Sequence, residues 1–210
     1  LSRTMRGSFG NAGRDRLLPP RPVLLTPRAV IRLWTDGCCL KAPGRLDGPG
    51  GWALVVEEDG EVIHTEVEGH DLTTPLRMEL HGVIAALRYA RGRRLEVCCD
   101  AKVVVDCVME GHVQRWKHRN WTKAPGGEEE VPLWRRIEEL LYGSLTTLTW
   151  VRGHSGLPFN ELADELADVA ARGARTATRW DRRPFPEVVA AAYAAGRYPG
   201  RLPAVQSTPE

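Results

Sequence analysis

Four carboxylates lie in or beside apolar segments, where a folding chain keeps a charge only if something compensates it. They are Asp36 in Trp34-Thr35-Asp36-Gly37, Glu79 in Arg77-Met78-Glu79-Leu80, Asp100 in Cys98-Cys99-Asp100-Ala101, and Asp164 in Asn160-Glu161-Leu162-Ala163-Asp164. Asp36 and Asp100 are expected to close strands, and Glu79 and Asp164 to lie on helices. Carboxylates gathered from separate elements repel one another, so a fold that unites them needs cations at the same place. Hard oxygen donors select Mg²⁺, with Mn²⁺ as a substitute, and a pair of such ions suits in-line displacement at phosphate. The chain is thereby constrained toward a fold in which two strand ends and two helices meet at one metal-dependent nuclease site.

The rest of the pattern predicts an α/β protein with a mixed sheet. Ala29 to Asp36 reads as a first strand. Gly51–Val56 and Glu61–Gly69 read as two more, joined by the hairpin signal Glu58-Asp59-Gly60. Between the first two strands lies a turn-rich loop, Lys41 to Gly51. Leu76, Leu80, Val83, Ile84 and Leu87 recur at helical spacing, which predicts a helix over 75–91 with Pro75 in its first turn. Glu79 flanks that stripe, which favours a ligand over a surface charge. Leu95–Cys99 is a fourth strand, followed by a helix to about Met109 and an aromatic, basic segment over 112–123. Glu128–Gly143 is helical, Leu145–Val151 is a fifth strand, and Phe159–Arg172 is a last helix. On that helix Asn160, Asp164 and Asp168 share one face, and Leu162, Leu166 and Val169 the other.

A chain of 210 residues fits one domain with extensions. The reading divides it into a flexible basic lead at 1–28, a catalytic domain at 29–172, and a basic Pro/Ala/Arg-rich tail at 173–210 with a short helix, Pro186 to Ala195, stopped by Gly196. The net charge of +2 hides an asymmetry. Residues 1–28 carry six basic and one acidic residue, 29–171 sixteen and twenty-three, and 172–210 seven and three. Basic tails around an acidic domain suggest added attraction for phosphate, although solvated tails have the same composition. Cys38, Cys39, Cys98, Cys99 and Cys107 are odd in number, in adjacent pairs and without Cys-x-x-Cys spacing. They read as reduced thiols of an intracellular protein rather than a disulfide framework or zinc site. No apolar run is long enough to span a bilayer, and the Arg-rich start lacks the apolar stretch of a secretory signal. The expectation is a cytoplasmic monomer away from membranes. A transit peptide is compatible with the N-terminus, and the initial Leu suits a fragment of a longer product.

Each motif has a bland counterpart. A lone Asp at a strand end is commonly a turn or helix cap, and Asp100 precedes a helix. Asp164 stands among Glu161, Glu165 and Asp168, as on any acidic helix face. His154 lies in Gly153-His154-Ser155-Gly156, a loop with freedom to move, and an imidazole in such a place suits proton transfer. His64, His70, His81, His112 and His118 lack that context. Arg115, Trp116, Lys117, His118, Arg119, Trp121 and Lys123 interleave cations with indoles, a composition suited to phosphates and sugar or base faces.

Taken in order, these stretches resemble a type 1 ribonuclease H. The resemblance covers residues 31–171. It rests on Thr35-Asp36-Gly37 with Pro43 and Gly50-Gly51, and on Thr73-Thr74 with Arg77-Met78-Glu79-Leu80. Cys99-Asp100 follows, then Trp116, Trp121 and Trp134, and Trp150-Val151-Arg152-Gly153-His154-Ser155-Gly156 with Asn160-Glu161 and Asp164. It implies a ribonuclease H-like fold with a five-stranded mixed sheet flanked by helices. It also implies an endonuclease that hydrolyses the RNA strand of RNA–DNA hybrids. Two Mg²⁺ ions on Asp36, Glu79, Asp100 and Asp164 would leave 5′-phosphate and 3′-hydroxyl ends, with His154 assisting catalysis. It assigns substrate contacts to Thr74, Lys102, Arg115, Trp116, Lys117, Arg119, Trp121 and Asn160. Recognition of a hybrid by its shape and 2′-hydroxyls implies no sequence preference. Departures from the pattern are Ala42 before Pro43, Pro75-Leu76 where paired Asn is common, Lys102 where Gln is common, and a longer loop at 44–49. They bear on hybrid preference and leave the acidic quartet intact. Rival readings are a resolvase or integrase core, a binding module without turnover, and an accessory domain of a reverse transcriptase. The His154 loop and the tryptophan-rich segment argue against the first, and the intact quartet against an inactive module.

Overall fold

The computed structural model describes residues 30–176 and 194–196. The lead at 1–28 and nearly all of the tail lie outside the described residues, as does most of the helix expected over 186–195. Of that segment only Ala194, helical, and the turn Ala195-Gly196 are described.

Five strands form one sheet in the order β3-β2-β1-β4-β5. Their ranges are β1 Ile31–Cys39, β2 Gly48–Glu58, β3 Glu61–Thr73, β4 Glu96–Cys99 and β5 Thr147–Trp150. The first three are antiparallel neighbours, and β1, β4 and β5 run parallel, so the sheet is mixed as the sequence implies. The β2–β3 turn is two residues, Asp59 (φ 50°) and Gly60 (φ 87°), both in the left-handed region that a tight hairpin requires. β2 begins earlier than its apolar run, at Gly48. The loop after β1 is therefore shorter than the composition of 41–51 suggests.

The helices are α1 Pro75–Ala90, α2 Lys102–Met109, α3 His112–His118, α4 Val131–Leu141 and α5 Pro158–Thr176. Thr74 caps α1 by accepting a hydrogen bond from the Arg77 amide at 3.2 Å, and Pro75 fills the first turn. Left-handed Arg91 and Gly92 end it. A short 3₁₀ turn, Glu128–Glu130, precedes α4, so this segment begins as a tighter coil than its periodicity predicts. α5 runs four residues past the expected end at Arg172, so the 173 boundary falls inside a helix.

Strand alternation divides the core into two layers. Leu33, Leu54 and Val56 face one side and pack with Leu80, Val83 and Leu87 of α1 and with Trp134 and Ile137 of α4. Trp34, Ala53 and Val55 face the other side and meet Phe159, Leu162, Ala163, Leu166 and Ala167 of α5. Each large aliphatic side chain fully buried here contributes about 1.5–3 kcal/mol. The face α5 turns inward differs from expectation. Ala163, Ala167 and Ala170 lie on it, and Val169 is only half-buried. Small residues win because α5 crosses β2 at Gly51, where a Cβ would stand 2.5 Å from the Ala170 methyl and 2.6 Å from the Ala171 amide. No helix among the described residues is long and apolar enough to cross a membrane. All five cysteines are free thiols.

Candidate active site

The parallel register of β1 with β4 pairs Thr35 with Cys99, which sets the following residues, Asp36 and Asp100, side by side. Asp36 does not close its strand, contrary to the sequence reading. β1 continues to Cys39, and Asp36 is paired with Ala53 of β2. The strand outlasts its apolar run because backbone pairing with β2 holds it on past the carboxylate. Asp100 does follow the last residue of β4.

Glu79 reaches this pair because α1 lies directly on β1. A Cβ at Gly37 would stand 2.4 Å from the Glu79 nitrogen and 2.6 Å from the Met78 carbonyl carbon. Only glycine permits that approach. The Gly37 amide hydrogen-bonds the Glu79 carboxylate, whose Oε2 is buried without a hydrogen-bond partner. One oxygen each from Asp36, Glu79 and Asp100 lies within 4.8 Å of the others. Asp164 arrives from α5, on the sheet face that alternation gives to Trp34 and Asp36. Asp36 hydrogen-bonds both Asp100 and Asp164.

The electrostatics are those of negative charges held too close. Burial, then Asp100 and Asp164, push the Asp36 carboxyl up to about 8. Burial, then Asp36 and Asp100, raise Glu79 well above the usual carboxylate range. Burial also raises Asp164, and His154 opposes that shift. The fully buried, unpartnered oxygen of Glu79 and the crowding of carboxylates around Asp36 fit a divalent cation. It would supply the charge and the coordination these oxygens lack.

A second group stands beside the first and meets it where Asp164 contacts Asp36. His154, Glu161 and Asp164 also bring one ligating atom each within 4.8 Å. His154 Nδ1 is 3.5 Å from Asp164 Oδ2, and its side chain is 78% exposed. His154 is itself left-handed (φ 48°), and Gly156 follows at φ 80°. In the sequence Glu161 reads as ordinary helix polarity. Its i, i+3 spacing to Asp164 and its place in the Asn160-Glu161 stretch are the signals there, and its carboxylate also accepts from the Gly156 amide at 3.1 Å. Gly153 likewise has a role beyond loop freedom. A Cβ there would stand 2.5 Å from Asp100 Oδ2.

The expected substrate residues divide. Arg115, Lys117, Arg119 and Lys123 are exposed along α3 and the turn after it. Lys117 is paired with Glu138 of α4 at 2.8 Å, and Arg115 donates to the Glu110 carbonyl. Trp116 and Trp121 do not present their faces to solvent. Both are buried, and Trp116 packs edge-on against Trp134 with centroids 5.3 Å apart. The α3 backbone resolves the mixed pattern by turning Val113 and Trp116 inward and the cations outward. Asn160 is also buried, at 2% exposure, with Oδ1 unpartnered. Thr74 is occupied as the α1 cap and donates to Glu130 Oε1 at 3.3 Å. Lys102 lies beside the site, paired with Asp106 and over the Trp150 ring. The Trp150 indole in turn donates to the Asp100 carbonyl at 3.1 Å.

The sequence model of the RNase H family matches residues 28–172. A ribonuclease H of Methylorubrum extorquens is 38% identical over 165 residues, covering 77% of this chain and 69% of that protein. One of Treponema pallidum is 35% identical over 170 residues, covering 73% of this chain and 98% of that protein. Among solved structures, LC9-RNase H1, described as a type 1 RNase H with the type 2 active-site motif, is similar with a TM-score of 0.63 at 26% identity. The likeness covers 88% of this chain and 99% of that one.

Proposed function

Because the chain belongs to the ribonuclease H family and is a ribonuclease H enzyme, we propose that it hydrolyses the RNA strand of RNA–DNA hybrids by a two-metal mechanism. Asp36, Glu79, Asp100 and Asp164 are the proposed ligands. The observation that carries this reading is the meeting of Asp36, Glu79 and Asp100 within 4.8 Å of one another, with Asp164 against Asp36 and a buried, unpartnered oxygen at Glu79. These residues would hold two Mg²⁺ ions, which would supply activation of a water and charge neutralisation at the 3′-oxygen leaving group, consistent with 5′-phosphate and 3′-hydroxyl products.

The chain's own residues hold and aim. Asp36 lies between Asp100 and Asp164, so its carboxylate is placed to serve both halves of the site. Glu79 is held by the Gly37 amide, and the missing side chain at Gly153 leaves Asp100 Oδ2 its room. His154, exposed beside Asp164, moves a proton between the reacting oxygens and solvent. The exposed cations of α3 and the turn after it attract the phosphates of the duplex, and buried Trp116 and Trp121 seat that segment on the core. No covalent nucleophile is needed, since positioning and charge neutralisation suffice.

Matched RNA–DNA hybrid, double-stranded RNA and double-stranded DNA, each incubated with and without Mg²⁺, test the reading. RNA cleavage confined to the hybrid and to the Mg²⁺ arm is expected. Cleavage of double-stranded DNA, or undiminished cleavage in chelator, would overturn it.

A further inference from the structure

At the end of the molecule away from the acidic site, the C-termini of α1 and α4 enclose a groove of about 1010 Å³. Arg88, Tyr89, Arg91, Arg93, Arg136 and Tyr142 line it, over a floor that includes Leu87 and Leu140. Part of this charge has an internal purpose. Arg93 donates to the carbonyls of Tyr89 and Ala90 and so caps α1, where a cation complements the helix dipole. Arg88 and Arg91 exceed that need, because both are exposed and neither forms an ion pair among the described residues. Arg136 is paired with Glu139 at 2.9 Å, but the pair is exposed and therefore cheap to exchange for a phosphate. Glu66, the other acid of the lining, leaves arginine in excess. Tyr89 already lies between His64 and Arg93, whereas Tyr142 is 86% exposed with its ring available.

Guanidinium groups beside an open aromatic ring and an apolar floor form the kind of surface on which unpaired bases stack while cations hold the backbone. The position also fits. Arg91, which caps α1, is twelve positions after Glu79, about 18 Å along the helix axis. The consecutive arginines of α4 link the two regions, since Arg135 lies 5.5 Å from the ring of Trp121 after α3 and Arg136 lines the groove. We infer that this groove is a second nucleic-acid site, which takes a single-stranded segment extending from the hybrid. The inference rests on the proposed hybrid-cleaving function for the identity of the polyanion.

Binding of the full chain to a fluorescent hybrid, blunt or carrying a single-stranded DNA extension, is measured in chelator, where nothing is cut. The extended hybrid is expected to bind several-fold tighter. The variant Arg88→Gln, Arg91→Asn, Arg136→Gln should abolish that advantage. It should also lower the salt slope for the extended hybrid by up to about 2, at roughly 0.7 per contact on a single strand. Asn at 91 tolerates the left-handed backbone there. Tyr142→Ala, at an exposed position where misfolding is not at issue, should weaken the extended hybrid by about fivefold or more. Affinity for blunt hybrid and its cleavage rate with Mg²⁺ should stay within about twofold of the parent. Equal binding of both hybrids by the parent, or equal loss for both in the variants, would overturn the groove while leaving hybrid cleavage standing. An Asp/Glu-rich peptide that binds the parent more tightly than a free single strand, and is lost in the triple variant, would reassign the groove to an acidic protein segment. Failure of the parent to cut blunt hybrid would sink the proposed function, and the binding comparison would still be readable.

Discussion

Asp36 is a residue whose burial opposes folding and serves the site. Its carboxyl titrates near 8 in the fold against an ordinary value of 3.8, so ionising it costs the folded state more than the unfolded one. Without metal, that favourable difference is fully present below the ordinary value and is lost as pH rises through about 8. Asp36→Asn removes the charge at nearly constant volume. It is expected to abolish hybrid cleavage while raising the Tm of the metal-free protein at pH 7–8. The gain should shrink toward zero near pH 4 and be offset when Mg²⁺ saturates the parent. Cleavage above a few per cent of the parent rate would remove Asp36 from the metal site, and a lower Tm at pH 8 would refute the burial argument. His154 sits differently, exposed and paired with Asp164. His154→Ala should slow turnover by about 10²-fold or less with hybrid affinity unchanged. Unfolding of that variant would show the residue to be structural.

At the scale of elements, the site depends on one close approach. α1 can lie on β1 only because position 37 has no side chain. Gly37→Ala sets a methyl against the Glu79 backbone, and overpacking of this kind costs about 1–3 kcal/mol. The expected outcome is a lower urea midpoint together with a weakened Mg²⁺ requirement curve, since Glu79 is displaced from Asp36. A parent-like midpoint and metal dependence would mean that the helix slides without cost. α3 offers the complementary case, an element that acts on binding and not on chemistry. Changing Arg115, Lys117, Arg119 and Lys123 to Ala removes up to four phosphate contacts, each contributing roughly 0.9 to the slope of log affinity against log salt. A higher KM, a shallower slope and a nearly unchanged single-turnover rate at saturation are expected. A fall in the saturated rate would tie α3 to the chemistry.

For the whole molecule, charge is divided between an acidic domain and basic ends. We propose that the ends add long-range attraction for phosphate. The deletion that tests this removes 1–28 and 177–210 and spares α5, which continues to Thr176. If the ends attract the substrate, the deleted protein loses association rate at low salt and little at high salt, where charges farther apart than the Debye length are screened. Equal loss at both salt concentrations would indicate a contact or a folding defect instead of a field.

Much of this protein was legible in its sequence because local periodicity and backbone chemistry act over a few residues. The hairpin at Asp59-Gly60, the α1 stripe behind Pro75, and the succession of the five strands along the chain follow from such signals. The acidic quartet was legible as well, since a carboxylate within an apolar segment conflicts with its surroundings wherever the segment packs. What lay beyond the sequence depends on which elements touch. Pairing with β2 carries β1 past Asp36, and Gly51 admits an alanine face of α5 in place of Val169. α3 turns Trp116 into the core that α4 completes. Glu161 joins His154 only because a loop returns to its own helix. Burial of a side chain is decided by the partner it meets, and a linear pattern carries the period of a face without saying what will cover it.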